Sequence, residues 1–174
     1  WQVNDDGLSY TFKLRPGVKF HSTDYFTPSR TFNADDVVFT FQRMLDKDHP
    51  FRKAYPTEFP YFTDMGLDKN IAKVEKVDDL SVRFTLNNVD AAFIQNLAMN
   101  FAAIHSAEYA DQLLKAGKAA DINQKPIGTG PFVFNRYQKD AQIRFKGNKD
   151  YWLPEDVQID NLIFAINTNA SVRA

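Results

Sequence analysis

The chain has 174 residues, enough to bury a hydrophobic core, and its 44% apolar and 25% charged residues are ordinary for a globular protein. A net charge of −1, with no run of basic residues, argues against nucleic acid or an acidic membrane as partner. The absence of cysteine excludes thiol catalysis, disulfides and cysteine–zinc sites, and no apolar run approaches the about 18 residues of a membrane-spanning helix.

The first predicted element is a strand, because apolar residues alternate with polar ones from Leu8 to Leu14. The sequence RPGV that follows places proline and glycine where a type II turn requires them. Alternation resumes at Val18 and Phe20, so we predict a hairpin.

The next element, in FNADDVVFTFQRML, has helical spacing of its apolar residues. Asn33 can cap this helix, and Asp35 and Asp36 fall in its first turn, where carboxylates favour the positive end of the helix dipole. The acidic pair could instead bind a metal. Adjacent helical side chains point ~100° apart and no third ligand is evident, so the pair is interpreted as the start of a helix.

The segment HPFRKAYPTEFPYF combines aromatic residues with Pro50, Pro56 and Pro60, which forbid a regular helix across it. Five aromatic side chains are more than a solvent-exposed loop needs. They either cap the core, which is the more common role of such residues, or line a ligand cleft.

The second half of the chain mixes strands and helices. Strands are predicted on both sides of Asp78–Asp79, and a hairpin is predicted over residues 130–148. A short helix is expected at residues 90–101, and another is expected to be capped by Ser106 and ended by Gly117. The final strand, IDNLIFAIN, is apolar on both faces at its centre, which predicts burial between layers. Without regular βαβ alternation, the predicted class is α+β, a mixed sheet with packed helices.

The glycine-rich stretch KPIGTGPF lacks the spacing and the lysine of a phosphate-binding P-loop. Pro131 and the apolar residues after it predict a strand, whereas a phosphate cradle needs a helix N-terminus. We therefore expect a structural bend, in which Gly128 and Gly130 provide positive φ or close approach and Pro131 fixes the entry to the strand.

No catalytic set is evident. The three histidines, His21, His49 and His105, lie far apart, and none has the spacing of a zinc site. Three of the serines, Ser22, Ser106 and Ser171, lack the G-x-S-x-G pattern of a nucleophile elbow. The sequence predicts no enzyme, no cofactor and no metal, and a hydrolase is disfavoured.

Four motifs in order, DDGLSYTFKLRPGVKFH, FNADDVVFTFQR, PIGTGPF and DYW, resemble the extracellular solute-binding proteins of the peptide/nickel type, which serve ABC importers. The match covers nearly the whole chain. FTPSRTFNADDVVFTFQR, FPYF and SAEYA resemble the branch with dipeptide-binding, haem/glutathione-binding and Sap-type antimicrobial-peptide-binding proteins.

The resemblance implies a two-lobed periplasmic protein, with a lipoprotein anchor as one option for the full-length protein, in which residues 1–174 form a single α+β domain inserted in the first lobe. The start at Trp1 without Met also favours a segment of a longer protein. The implied ligands are dipeptides, glutathione or haem, or cationic antimicrobial peptides, and the implied partner is an ABC permease of the inner membrane.

An aromatic residue that follows a proline, at the place of Pro50–Phe51, can reach the ligand in peptide binders. Phe51 and Tyr55 are therefore the candidate ligand-binding residues, with no catalytic, cofactor or metal residue. The alternative is a structural or interaction domain that makes no ligand contact.

Overall fold

The computed structural model describes residues 1–169, and Ser171 lies outside the described part. Within residues 1–169, seven strands form two antiparallel sheets. The strands are β1 (Gln2–Val3), β2 (Ser9–Lys13), β3 (Ile71–Asp78), β4 (Ser81–Leu86), β5 (Phe132–Gln138), β6 (Gln142–Gly147) and β7 (Asn161–Ala165). The helices are α1 (Ala34–Leu45), α2 (Pro50–Ala54), α3 (Pro60–Asp64), α4 (Leu67–Asn70), α5 (Phe93–Leu97), α6 (Ala107–Lys115) and α7 (Asp121–Gln124), with 3₁₀ helices at Asn100–Ala102 and Pro154–Asp156. Helices packed on antiparallel sheets confirm the α+β class.

The first sheet has the order β1-β2-β4-β3, and α1 packs on β3 and β4. The predicted strand at β2 is confirmed, but the hairpin after it is wrong. Gly17 has φ +73°, as the type II turn requires, yet Val18 and Phe20 lie buried outside any strand. Both edges of β2 are already taken, by β1 and β4, so a returning strand has no partner there.

The start of α1 follows the prediction for Asn33 and the acidic pair. The Asn33 side chain accepts a hydrogen bond from the Asp35 backbone N–H at 3.0 Å. Asp36 is fully buried and accepts from the Asn33 backbone N–H at 2.9 Å, which completes a capping box. This carboxylate is committed to structure.

The aromatic segment between α1 and β3 contains short helices that the sequence did not predict. Pro50 and Pro60 are the first residues of α2 and α3, where the fixed φ and missing N–H of proline are tolerated. No helix crosses the segment, as the prolines predicted.

The buried side chains form two clusters. One lies between the first sheet and α1 and contains Phe41 and Phe84. The other joins α2, α6 and α7 to the loop before α1 and contains Phe51 and Tyr109. Aromatic pairs recur in both, for example Phe41 edge-on to Phe84 at 4.9 Å between ring centroids.

The second sheet has the order β5-β6-β7, and its β5–β6 hairpin was predicted. The predicted burial of β7 is wrong: Ile163 is 50% exposed and Phe164 is 53% exposed. Among the described residues, β7 is an edge strand whose one partner is β6. An apolar sequence indicates that a strand can be buried, but it does not indicate which residues would cover the strand.

Candidate functional site

The glycine-rich loop before β5 is held by the buried side chain of His21. His21 Nε2 donates to the Gly130 carbonyl at 2.9 Å, and His21 Nδ1 accepts from the Gly128 backbone N–H at 3.3 Å. This arrangement requires a neutral ring with its proton on Nε2, and burial lowers the pKa of His21 in the same direction. His21 is therefore a structural residue of the loop.

The expected strain at the two loop glycines is absent. The backbone φ is positive at neither Gly128 nor Gly130. A Cβ added at Gly130 would meet nothing within 4 Å, and one at Gly128 would lie 3.6 Å from His21 Cε1, an ordinary contact. The expectation of positive φ or close approach was wrong. The loop enters β5 directly, without the helix N-terminus that a phosphate site uses.

A cleft of about 500 Å³ lies beside this loop. The Arg15 guanidinium stacks on the Trp152 ring at 4.1 Å from its centroid. The lining comprises Arg15, Val18, Phe32, Ala103, Ile104, Gly128, Thr129, Gly130 and Trp152.

The two sequence-predicted ligand residues lie in different surroundings. Phe51 is only 2% exposed and packs edge-on against Phe39 at 5.5 Å, inside the second core cluster. Tyr55 is half-buried, and its hydroxyl accepts a hydrogen bond from Asn123 Nδ2 at 3.3 Å. The structure tests neither residue against a ligand, so both roles stay predictions.

Asn123 also lines a cleft of about 340 Å³ beside the aromatic segment. Its lining is Arg43, Met44, Thr57, Glu58, Phe59, Pro60, Tyr61, Phe62, Phe101 and Asn123. The Tyr55 hydroxyl is thus one hydrogen bond away from the wall of this cleft.

Arg43 is the cleft residue that sequence reasoning missed. It is 8% exposed, and its guanidinium lies 5.5 to 5.9 Å from the ring centroids of Phe39, Phe51 and Phe59. In the sequence it reads as a basic residue in the last helical turn, which is common at the negative end of the dipole. Phe39, four residues earlier, and the aromatic segment after α1 were the available signal.

Two kinds of feature are absent from residues 1–169. No group of three or more histidine, aspartate or glutamate residues there could hold a metal ion. No helix in that range has the length and apolar character to cross a bilayer.

Open clefts lined by aromatic rings, with few polar groups, are typical of ligand-binding scaffolds. The comparison with protein families makes this class specific. The chain belongs to the bacterial extracellular solute-binding proteins, family 5, whose middle-region model matches residues 1–174.

Individual relatives agree with the family assignment. The di/tripeptide-binding protein 1 of Pseudomonas aeruginosa is 81% identical over 174 residues, which are 100% of this chain and 32% of that protein. Heme-binding protein A of Haemophilus influenzae is 50% identical over 173 residues, 99% of this chain and 31% of that protein. The chain spans about a third of the length of these curated relatives.

A solved structure with the same fold is the dipeptide-binding protein from Pseudoalteromonas sp. SM9913 in complex with Met-Leu. Its TM-score is 0.94 and its identity is 43%, over 99% of this chain and 34% of that chain. The family is one of solute-binding proteins, and these three members are named for the peptides or the haem that they bind.

Proposed function

We propose that the protein is the substrate-binding component of an ABC importer for di- and tripeptides, and that it works in the periplasm. The observation that carries this proposal is the 81% identity with a di/tripeptide-binding protein along the whole chain. The implied partner is the permease of the same importer, which receives the loaded protein.

Haem is a second candidate ligand, because heme-binding protein A is 50% identical over 99% of the chain. The higher identity to the di/tripeptide-binding protein favours peptides. The two ligands differ enough in size and chemistry for one set of titrations to separate them.

The main test is calorimetry on the protein at its full natural length. We expect Met-Leu or a tripeptide to bind with a dissociation constant of about 1 μM or below. Haem is titrated separately by its absorbance. Haem binding without peptide binding would replace the main proposal with the second, and no binding of either would leave the structural or interaction role.

We further propose that Tyr55 contacts the ligand and that Phe51 supports it by packing. The Phe51 ring is almost fully covered by described residues, so it would affect ligand binding indirectly, by fixing the position of α2. Tyr55 presents both a ring and a hydroxyl at a partly exposed site.

The Tyr55 role predicts that Tyr55→Ala weakens Met-Leu binding by about 1–2 kcal/mol in the full-length protein, while Tyr55→Phe separates the hydroxyl from the ring. Calorimetry measures both variants, with melting curves as the folding control. Equal affinity of wild type and Tyr55→Ala would remove Tyr55 from the ligand site.

A further inference from the structure

Arg43 is a buried cation without a polar partner among the residues that the structure describes. It is 8% exposed, and its Nε has no hydrogen-bond acceptor. No carboxylate of residues 1–169 lies within 4.0 Å of its guanidinium. Buried charges in folded proteins are normally paired, so this group requires an explanation.

Its charge persists under ordinary conditions. Burial lowers the pKa of Arg43 to about 10, which still leaves the guanidinium protonated at neutral pH. The nearby faces of Phe39, Phe51 and Phe59 offset part of the lost hydration, but they accept no conventional hydrogen bond. A carboxylate is the acceptor that pairs with a guanidinium in bidentate geometry.

The cleft that Arg43 lines is complementary to a molecule with one acidic group and an apolar body. Phe59, Phe62 and Phe101 provide ring surface, and Asn123 and Thr57 provide polar contacts at the wall. Its volume of about 340 Å³ is at the small end of ligand pockets.

Glu58 is the carboxylate that also lines the cleft. Glu58 is exposed, and the ion pairs of residues 1–169 include none between it and Arg43. Its negative charge repels the carboxylate of a ligand that enters the cleft. A neutral substitution at Glu58 would remove this repulsion.

We propose that Arg43 binds the carboxylate of a small apolar acid in the cleft between α1 and residues 57–62. Two sources share this chemistry, a free monocarboxylic acid and the C-terminal end of a bound peptide. The second source rests on the proposed function, whereas the first does not.

Calorimetry on the full-length protein tests the proposal with phenylacetate and its neutral analogue phenylacetamide. We expect phenylacetate to bind at least about tenfold more tightly, because only the acid can pair with the guanidinium. Arginine side-chain NMR adds a direct measurement, in which phenylacetate shifts the Arg43 Nε–H signal and phenylacetamide does not. Equal binding of the two probes, or no Nε–H shift, would overturn the proposal without any variant.

Matched variants locate the interaction. Arg43→Met keeps a long side chain and should remove the preference for the acid, whereas Arg136→Met, at an exposed arginine of β5, should leave it unchanged. Glu58→Gln should bind phenylacetate at least as tightly as wild type. Melting curves verify folding, and a preference that survives in Arg43→Met would contradict the assignment.

A final arm separates the two sources. Phenylacetate is titrated again in the presence of saturating Met-Leu. Binding that persists supports a separate site for small acids, and loss of binding with loss of the Nε–H shift shows that the peptide carboxylate occupies the site. The Met-Leu titration alone reports the proposed function, so a failure there is seen independently.

Discussion

At the scale of single residues, Asp36 joins three parts of the chain through one buried carboxylate. It forms a two-pronged ion pair with Arg30 at 2.7 and 2.9 Å and caps α1 through the Asn33 backbone N–H. Its Oδ1 also accepts from the Ala107 backbone N–H at 2.8 Å, at the start of α6. One carboxylate therefore fixes the beginnings of the two longest helices of the described chain.

Replacing Asp36 by Asn should destabilise the protein by about 2–3 kcal/mol, because an amide cannot accept all these bonds and leaves Arg30 without its partner. Asp35→Asn is the matched control. Asp35 is exposed and pairs with Lys76 at 3.1 Å, so its loss should cost less than about 1 kcal/mol. Urea unfolding of both variants measures the difference, and equal midpoints would contradict the role of Asp36.

Three desolvated histidines predict the response to acid. Burial lowers the pKa of His21 and of His49, and burial followed by the charge of Arg43 lowers the pKa of His105 to about 3. Unfolding returns the pKa of each histidine to its ordinary value of about 6.5, so the unfolded chain binds more protons below that pH than the folded chain does. Stability is fully present above pH ~6.5 and falls as pH drops toward the folded pKa.

The window from pH ~6.5 to ~5 isolates the histidines, since most carboxylates remain ionised there. We expect the unfolding free energy to decline across it, and His105→Gln to reduce the slope. Urea unfolding at successive pH values gives this slope directly. A wild-type slope of zero would show that none of the three rings is protonated more readily on unfolding.

At the scale of elements, the second sheet requires glycine at position 147, because there is no room for a side chain there. A Cβ there would lie 2.6 Å from the Ile159 carbonyl oxygen, a backbone atom in the chain that leads to β7. Gly147 also donates its N–H to the Asp160 carbonyl at 2.8 Å, so the two segments cannot separate without losing this bond.

Gly147→Ala should therefore destabilise the protein by about 1–3 kcal/mol, whereas Gly130→Ala should change stability by no more than about 0.5 kcal/mol. Gly130 has open space for a Cβ and needs no positive φ. Thermal melting of the pair is the measurement. A larger loss at Gly130 would restore the strained-loop interpretation that the geometry contradicts.

The elements that sequence predicted well are those whose signals are local. The alternation through Tyr10 and Phe12 and the cap at Asn33 each lie within one element, and both appear in the structure. The hairpin after Gly17 failed because pairing depends on β4, which lies about seventy residues further along the chain. The position of the apolar strand β7 in the sequence was predicted correctly. Its exposure depends on whether other elements cover it, which the sequence of the strand does not indicate.

The same reasoning explains the candidate site. Composition and proline spacing identified the aromatic segment, but could not tell the enclosed ring of Phe51 from the partly exposed ring of Tyr55. The sequence did not identify Arg43 as a site residue, because its lack of a carboxylate partner depends on which carboxylates the fold places near it. Such an absence has no local signature in a sequence.

At the scale of the whole molecule, the chain matches relatives about three times its length, and its clefts are open. A cleft of this kind holds a peptide tightly only when a second surface closes over it and excludes water. The second sheet likewise leaves Ile163 and Phe164 half-exposed on β7. We therefore expect high affinity for the proposed peptide ligand to need a second surface over these clefts.

The isolated 174-residue chain should therefore fold but bind weakly. Helices α1, α2 and α6 are capped by side chains, and the buried apolar residues gather in two core clusters, so near-UV circular dichroism should show one cooperative melting transition. If the proposed ligand site needs a second surface, Met-Leu and haem should bind to the isolated chain no more tightly than about 1 mM, against micromolar or tighter binding at full length. Calorimetry on the two proteins compares these affinities, and the melting curve shows that weak binding is not unfolding. Micromolar binding of Met-Leu by the isolated chain would mean that this segment builds the whole peptide site by itself.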